Sequence, residues 1–224
     1  MGQIVRTQDV YKEYFNGSER VSALKNININ IEEKKLTALK GRSGSGKTTL
    51  INLIGLLDDP TSGKVFISDN EVAHMDERKK TAYRKMNYGF VFQSVALVSY
   101  MTAYENVEFM LKVSGYPRDK IKMRAEESLA FVGLQKRMNH RANELSGGEQ
   151  QRVGIARAFA HKPLLILADE PTAELDSHTS LQVIRIFKEL IEKESITVIM
   201  ATHDPAIMEV ADVVYALEDG QIVS

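Results

Sequence analysis

The sequence predicts one α/β domain of 224 residues: a parallel sheet covered by helices, with an antiparallel β portion and a helical portion built in. Three observations predict it. Short β-branched runs alternate with amphipathic stretches along most of the chain, the pattern of strands buried between helices. The N-terminal third, residues 4–67, carries alternating runs such as Ile27-Asn28-Ile29-Asn30-Ile31, which suit antiparallel strands. Residues 94–144 show helix-like periodicity and few strand signals.

In chain order, residues 36–40 (LTALK) read as a buried strand running into a glycine-rich turn, and residues 47–57 as the helix after it. Residues 88–92 (YGFVF), 164–168 (LLILA) and 197–201 (TVIMA) read as further buried strands. A helix near residues 180–193 places Val183, Phe187 and Leu190 on one face, with Ile184 and Ile191 beside them. Residues 213–217 and 221–223, separated by Glu218, Asp219 and Gly220, read as a terminal hairpin. No internal repeat or low-complexity linker divides the chain.

Composition excludes several classes of function. A formal net charge of −1 gives no electrostatic reason to expect nucleic-acid binding. With no cysteine there are no disulfides and no thiolate metal sites. The N-terminus lacks the charged-then-apolar layout of a secretory signal. The longest apolar runs, residues 163–168 and 197–201, are too short to cross a bilayer. The expectation is a soluble protein whose membrane role, if any, runs through a partner.

Gly41-Arg42-Ser43-Gly44-Ser45-Gly46-Lys47-Thr48 fits G-x-x-x-x-G-K-[ST] between an expected strand and an expected helix. Glycines let backbone N–H groups curve around phosphate oxygens, and the following helix presents its positive dipole end to the same anion. Lys47 would contact the β- and γ-phosphates, and the Thr48 hydroxyl would help hold Mg²⁺. Further on, an apolar run ends in Asp169 and Glu170. In a phosphate-loop protein an acid here completes the magnesium shell, which suits Asp169. Glu170 would then polarise the water that attacks the γ-phosphate.

Leu145-Ser146-Gly147-Gly148-Glu149-Gln150-Gln151-Arg152 carries a capping-box pattern, Ser146 followed three residues later by Glu149. A capped helix start with two glycines before it is a second anion site, and one ATP has only one γ-phosphate. This segment resembles the LSGGQ-like signature of the ABC ATPase family, and the resemblance extends over essentially the whole chain. Tyr14 matches the aromatic that stacks on adenine, with Tyr11 close by. Residues 41–48, with Thr49 following, match Walker A; Gln93 matches the Q-loop. Asp169 and Glu170 match Walker B and its catalytic glutamate, Asp176 the D-loop, and His203 the switch histidine.

The resemblance implies a P-loop NTPase ABC-ATPase fold with a mixed core sheet, an antiparallel β subdomain and a helical subdomain. Residues 1–92 and 146–224 would form the nucleotide-binding core and residues 93–145 the helical subdomain. It also implies a head-to-tail homodimer around two Mg–ATP. Walker A of one subunit and Ser146, Gly147, Gly148 and Glu149 of the other would hold each nucleotide. His203 would contact the γ-phosphate. Gln93 would reach the metal and link the nucleotide to a separate transmembrane permease, which alone contacts the transported substrate. The chain would then sit at the cytoplasmic face of the membrane.

Two departures stand out. Arg42 replaces a proline or small residue, and Lys34-Lys35 replaces a glycine-glutamate turn, which is expected to loosen that turn. A chromosome or DNA-repair ATPase would need a long heptad insertion between residues 48 and 145, and none is present. A soluble assembly factor and a cell-division-type ATPase with a membrane partner remain open. GFVFQ followed by MTAYENV, with ADEPT and LD, resembles the lipoprotein-release, macrolide and antimicrobial-peptide export branch (MacB/LolD-like). An apolar cluster of Val95, Leu97, Val98, Tyr100 and Met101 would face the permease.

Overall fold

The computed structural model describes residues 2–17 and 19–223. Its strands and helices run β1 (Gln3–Asn16), β2 (Glu19–Ile27), β3 (Asn30–Glu32), β4 (Leu36–Lys40), α1 (Lys47–Ile54), β5 (Ser62–Ile67), β6 (Asn70–Glu71) and α2 (Glu77–Asn87). They continue with β7 (Tyr88–Phe92), α3 (Ala103–Ser114), α4 (Ile121–Phe131), α5 (Gly147–Phe159), β8 (Leu165–Asp169) and α6 (Ser177–Glu194). The last are β9 (Thr197–Thr202), α7 (Pro205–Val210), β10 (Val213–Glu218) and β11 (Gln221–Ile222). The fold divides into two compact units: residues up to Arg84 together with those from Thr197 on, and Lys85–Ile196.

In the first unit β1 pairs antiparallel with β2, β3 and β5, as the alternating N-terminal third predicts. Ile27, Ile29 and Ile31 are all buried, but the strand breaks between Ile27 and Asn30. Asn26 takes φ 54, and the buried Thr7 hydroxyl replaces ladder bonds there, donating to the Ile27 carbonyl at 2.9 Å and accepting from the Ile29 N–H at 3.0 Å. Beside this antiparallel set, β4 lies parallel between β9 and β10. Every residue of β9 is buried, the continuous apolar run of a strand covered on both faces. The expected terminal hairpin is β10–β11, closed by Asp219 and Gly220 at positive φ, the geometry of a two-residue turn.

Several boundaries differ from expectation. Helix α1 stops at Ile54, three residues early, because Gly55 caps it and Leu56 turns to φ 57. Its carbonyl is then taken by the Arg84 guanidinium. The turn at Lys34 is not loosened: Lys34 itself adopts φ 58, and its N–H donates to Thr197 Oγ1 at 2.9 Å.

In the second unit β7 and β8 are parallel. β8 begins one residue later than expected, since Leu164 is exposed. Phe159, Phe187, Leu129 and Val183 fill the core, and Ile191 is only half-buried. Residues 94–101 are not helical, contrary to the periodicity. The buried Asn106 side chain holds this loop instead, accepting from Val98 N–H at 2.9 Å and donating to the Val98 and Thr102 carbonyls. Thr102 and Glu105 form a capping box that starts α3. Arg124 ties α4 to both neighbours: it donates to the Ala160 carbonyl at 2.7 Å and to both Glu194 oxygens at 3.2 Å.

Candidate functional site

In the first unit the chain leaves β4 at Lys40 and turns through Gly41–Gly46 into α1. Gly44 and Gly46 have φ 80 and 106. A Cβ on Gly46 would also lie 2.7 Å from the Ala23 carbonyl oxygen and 2.8 Å from Leu24 Cδ2, so the position admits no side chain. Positive φ at both glycines turns the backbone sharply ahead of a helix start, the setting in which backbone N–H groups can cradle an anion. Lys47 is buried, with its ammonium donating to the Gly41 and Arg42 carbonyls at 2.8 and 3.1 Å. The Ser45 hydroxyl is buried and has no hydrogen-bond partner among the described residues. Arg42, Ser43 and Thr48 are exposed, and Thr49 is half-buried.

A cavity of about 730 Å³ opens beside this loop. Gly41, Arg42, Ser43, Gly44 and Ser45 line it together with His203 and Ala216–Asp219. His203 reaches it because it is the first residue after β9, the strand beside β4. Lys47, Thr48 and Thr49 do not line it. Tyr14 is 41% exposed on β1, and its hydroxyl donates to Asp58 Oδ2 at 2.9 Å. Burial, and then that hydrogen bond, push its pKa up.

In the second unit β8 delivers Asp169 at its last residue, with Glu170 directly after it. Glu170 has φ 47, an uncommon conformation for a residue with a long side chain. Gln93 follows β7, is exposed, and donates through Nε2 to Glu174 Oε1 at 3.3 Å. Gln93, Gly147, Gln150, Pro171 and Glu174 share one cavity of about 440 Å³. Val95 packs on Gly154 of α5, and Arg157 donates to the Val95 and Ala96 carbonyls at 3.0 and 2.8 Å. Leu97, Val98 and Met101 are half-buried, and Tyr100 is 73% exposed.

The expected capping box is present at α5. The Ser146 hydroxyl accepts from the Glu149 N–H at 3.3 Å, and the Glu149 carboxylate accepts from the Ser146 N–H at 2.9 Å. That backbone bond, with Arg137 beside it, lowers the Glu149 pKa. Because Ser146 is itself the cap, Gly147 and Gly148 are the first two helical residues, not residues before the helix as expected. A Cβ on Gly147 would meet nothing within 4 Å, so this helix start is open. Asp176 caps α6, accepting from the His178 and Thr179 N–H groups at 3.0 Å.

The structure therefore brings Gly41–Ser45 together with His203, and separately Gln93 together with Gly147. Glu174, Asp58 and Lys12 are participants that the sequence reading did not single out. Glu174 sits in the same turn as Asp176, but nothing in its spacing marks it as a partner of Gln93.

A family model described as ABC transporter matches residues 24–173. An uncharacterized ABC transporter ATP-binding protein of Methanocaldococcus jannaschii is 42% identical over 98% of both chains. The macrolide export ATP-binding/permease protein MacB of Bartonella henselae is 41% identical over 97% of this chain, which spans 33% of that protein. A dimeric ATP-binding cassette in a post-hydrolysis state bound to ADP and Pi superimposes with a TM-score of 0.91 at 40% identity, covering 99% of this chain and 97% of that one.

Proposed function

The chain belongs to the ABC transporter family and is an ATP-binding, ATP-hydrolysing member of it, and on that premise we propose that it works as a homodimer around two Mg–ATP to drive a separate membrane permease. The observation that carries the reading is the open, Ser146-capped start of α5. It is a second anion-binding end on a chain whose own phosphate loop already serves one nucleotide. Ser146, Gly147, Gly148 and Glu149 of one subunit would close over the ATP held by Lys47 and its loop in the other.

Lys47 supplies charge to the β- and γ-phosphates, and Tyr14 stacks on adenine. Glu170 accepts the proton of the attacking water, while His203 steadies the γ-phosphate. The Thr48 hydroxyl, the Asp169 carboxylate and the Gln93 amide are hard oxygen donors, too few for a full protein cage. This is the donor set that suits magnesium completed by phosphate oxygens and water. When bound, the ion neutralises charge developing on the phosphates. Asp176, by ordering the start of α6, shapes the turn that follows Glu170.

Among the described residues no helix is long and apolar enough to cross a membrane. The permease is assigned to another, transmembrane chain, which this one would meet at the cytoplasmic face through the helical subdomain of residues 93–145 and the exposed ring of Tyr100. The chain is assigned to an export or mechanotransmission branch handling a lipoprotein, a macrolide or an antimicrobial peptide; the likeness to a macrolide export protein supports its export side.

Size-exclusion chromatography with ATP tests the dimer. In a Glu170→Gln background ATP is expected to produce a dimer, and adding Ser146→Arg to abolish it while calorimetry still shows ATP bound. A Ser146→Arg protein that dimerises with ATP overturns the role of the α5 start.

A further inference from the structure

Tyr14 is held at two points. Its hydroxyl donates to Asp58 Oδ2 at 2.9 Å. The Lys12 ammonium lies over its ring, 4.9 Å from the centroid. Lys12 is in turn fixed by Asp58 Oδ1 at 2.6 Å and the Asp59 carbonyl at 2.7 Å. Asp58 is the common node: one carboxylate oxygen takes the cation over the ring and the other takes the hydroxyl at its edge. Burial alone would raise the Asp58 pKa, but the hydrogen bonds from Lys12 and Tyr14 outweigh it and hold the carboxyl below its ordinary range.

Exposure separates this cluster from a purely structural ion pair. Lys12 is 9% exposed, whereas the tyrosine it supports is 41% exposed. An aromatic ring that is largely open would ordinarily sample rotamers and would have to be ordered when a ligand stacks on it. Here Asp58 and Lys12 order the ring in advance.

We propose that Asp58 is a positioning residue for the nucleotide base, fixing Tyr14 through its hydroxyl and through Lys12 as a preset stacking platform. The proposal rests on the reading of Tyr14 as the adenine-stacking aromatic. It assigns Asp58 no contact with the nucleotide. Its removal should therefore weaken ligands that carry a base and spare those that carry phosphates alone.

The test is calorimetric titration with ATP and with inorganic tripolyphosphate, both with magnesium, on the whole chain and on Tyr14→Ala, Tyr14→Phe, Asp58→Ala and Asp58→Asn. Asp58→Ala is expected to weaken ATP binding roughly three- to tenfold, the loss of one charge-assisted anchor, with tripolyphosphate unchanged. Asp58→Asn keeps a hydrogen-bonding partner for the hydroxyl and should retain most of the affinity. Should Asp58→Ala fail to fold, Tyr14→Phe removes the hydroxyl anchor alone and should show a base-selective loss in the same direction, smaller in size. Equal weakening of both ligands by Asp58→Ala overturns the proposal, as does wild-type ATP affinity in Tyr14→Phe. Weakened ATP binding in Tyr14→Ala but not in Asp58→Ala overturns the positioning role and leaves the stacking role standing. Unchanged ATP affinity in Tyr14→Ala overturns the stacking role and the proposal with it.

Discussion

Thr179 stands so close to Gly148 that a Cβ built on the glycine would lie 2.5 Å from the threonine Cγ2. The threonine cannot easily turn away. Its hydroxyl donates to Asp176 Oδ2 at 2.6 Å, and its N–H donates to Asp176 Oδ1 at 3.0 Å. The cap of α6 thereby fixes a methyl group against the first turn of α5.

Gly148→Ala should accordingly lower stability by about 1–3 kcal/mol, the usual cost of overpacking a fixed neighbour. Thr179→Ser removes the offending methyl and leaves the nearest remaining Thr179 atoms 3.6 Å away, so the double variant should recover most of the loss. Gly147→Ala meets open space and should be nearly neutral to folding. Urea denaturation of the four proteins checks this. Equal losses for the Gly147 and Gly148 variants, or no rescue by Thr179→Ser, would show that the methyl contact is not the cause.

Lys34 offers the opposite experiment. It holds φ 58, a conformation that costs an L-residue with a Cβ but not glycine. Its N–H bond to Thr197 Oγ1 survives any substitution except proline. Lys34→Gly should stabilise by about 0.5–1 kcal/mol after the extra unfolded-state entropy of glycine is subtracted. Lys34→Ala should not. Thermal melts that rank alanine above glycine would contradict the strain.

His161 sets a pH dependence. It is buried, Nε2 lies 3.1 Å from the Tyr88 carbonyl, and burial pushes its pKa down to about 4. In the unfolded chain the group titrates near 6.5. Between those values the unfolded state takes up a proton that the folded state refuses. Stability is therefore full above about pH 6.5 and falls as pH drops toward 4, by about 3 kcal/mol in all. Carboxylates titrate in the same window, so the comparison is with His161→Gln. Denaturation at pH 7.0, 5.5 and 4.5 should give a shallower fall for the variant. Parallel curves would remove His161 from the account.

Much of this was legible in the chain, and the exceptions share a physical pattern. β4 and β7 have the expected bounds because LTALK and YGFVF are apolar runs ended by glycine or polar residues. The capping box at Ser146 was readable because its two partners are three residues apart. Helix α2 was missed because ERKKTAYRKMN has no apolar stripe. Its one buried side chain is Lys80, whose ammonium meets Asp59 and Glu77 at 2.5 and 2.8 Å. Residues 94–101 carry helical periodicity but are held as a loop by Asn106, a tertiary arrangement that period alone does not encode. The pairs Gln93–Glu174 and Tyr14–Asp58 span 81 and 44 positions, and such long-range contacts leave no local signal.

The backbone and the side chain of Glu170 can be tested apart. The residue holds φ 47 immediately after β8, and its carbonyl accepts from the Ala173 N–H at 3.2 Å. Glu170→Gln leaves that backbone demand unchanged, since glutamine tolerates positive φ no better than glutamate. Shape and volume are nearly conserved, and only the proton acceptor is lost. Turnover should fall on the order of a hundredfold or more, as for removal of a general base, with ATP affinity retained. Glu170→Gly makes the complementary change, relieving the φ constraint and deleting the side chain. It should be at least as inactive while being no less stable. Steady-state phosphate release and calorimetric ATP titration on both variants decide the matter. Near-normal turnover in Glu170→Gln would remove the general-base role, and lost ATP binding would move Glu170 from the chemistry of hydrolysis to nucleotide binding.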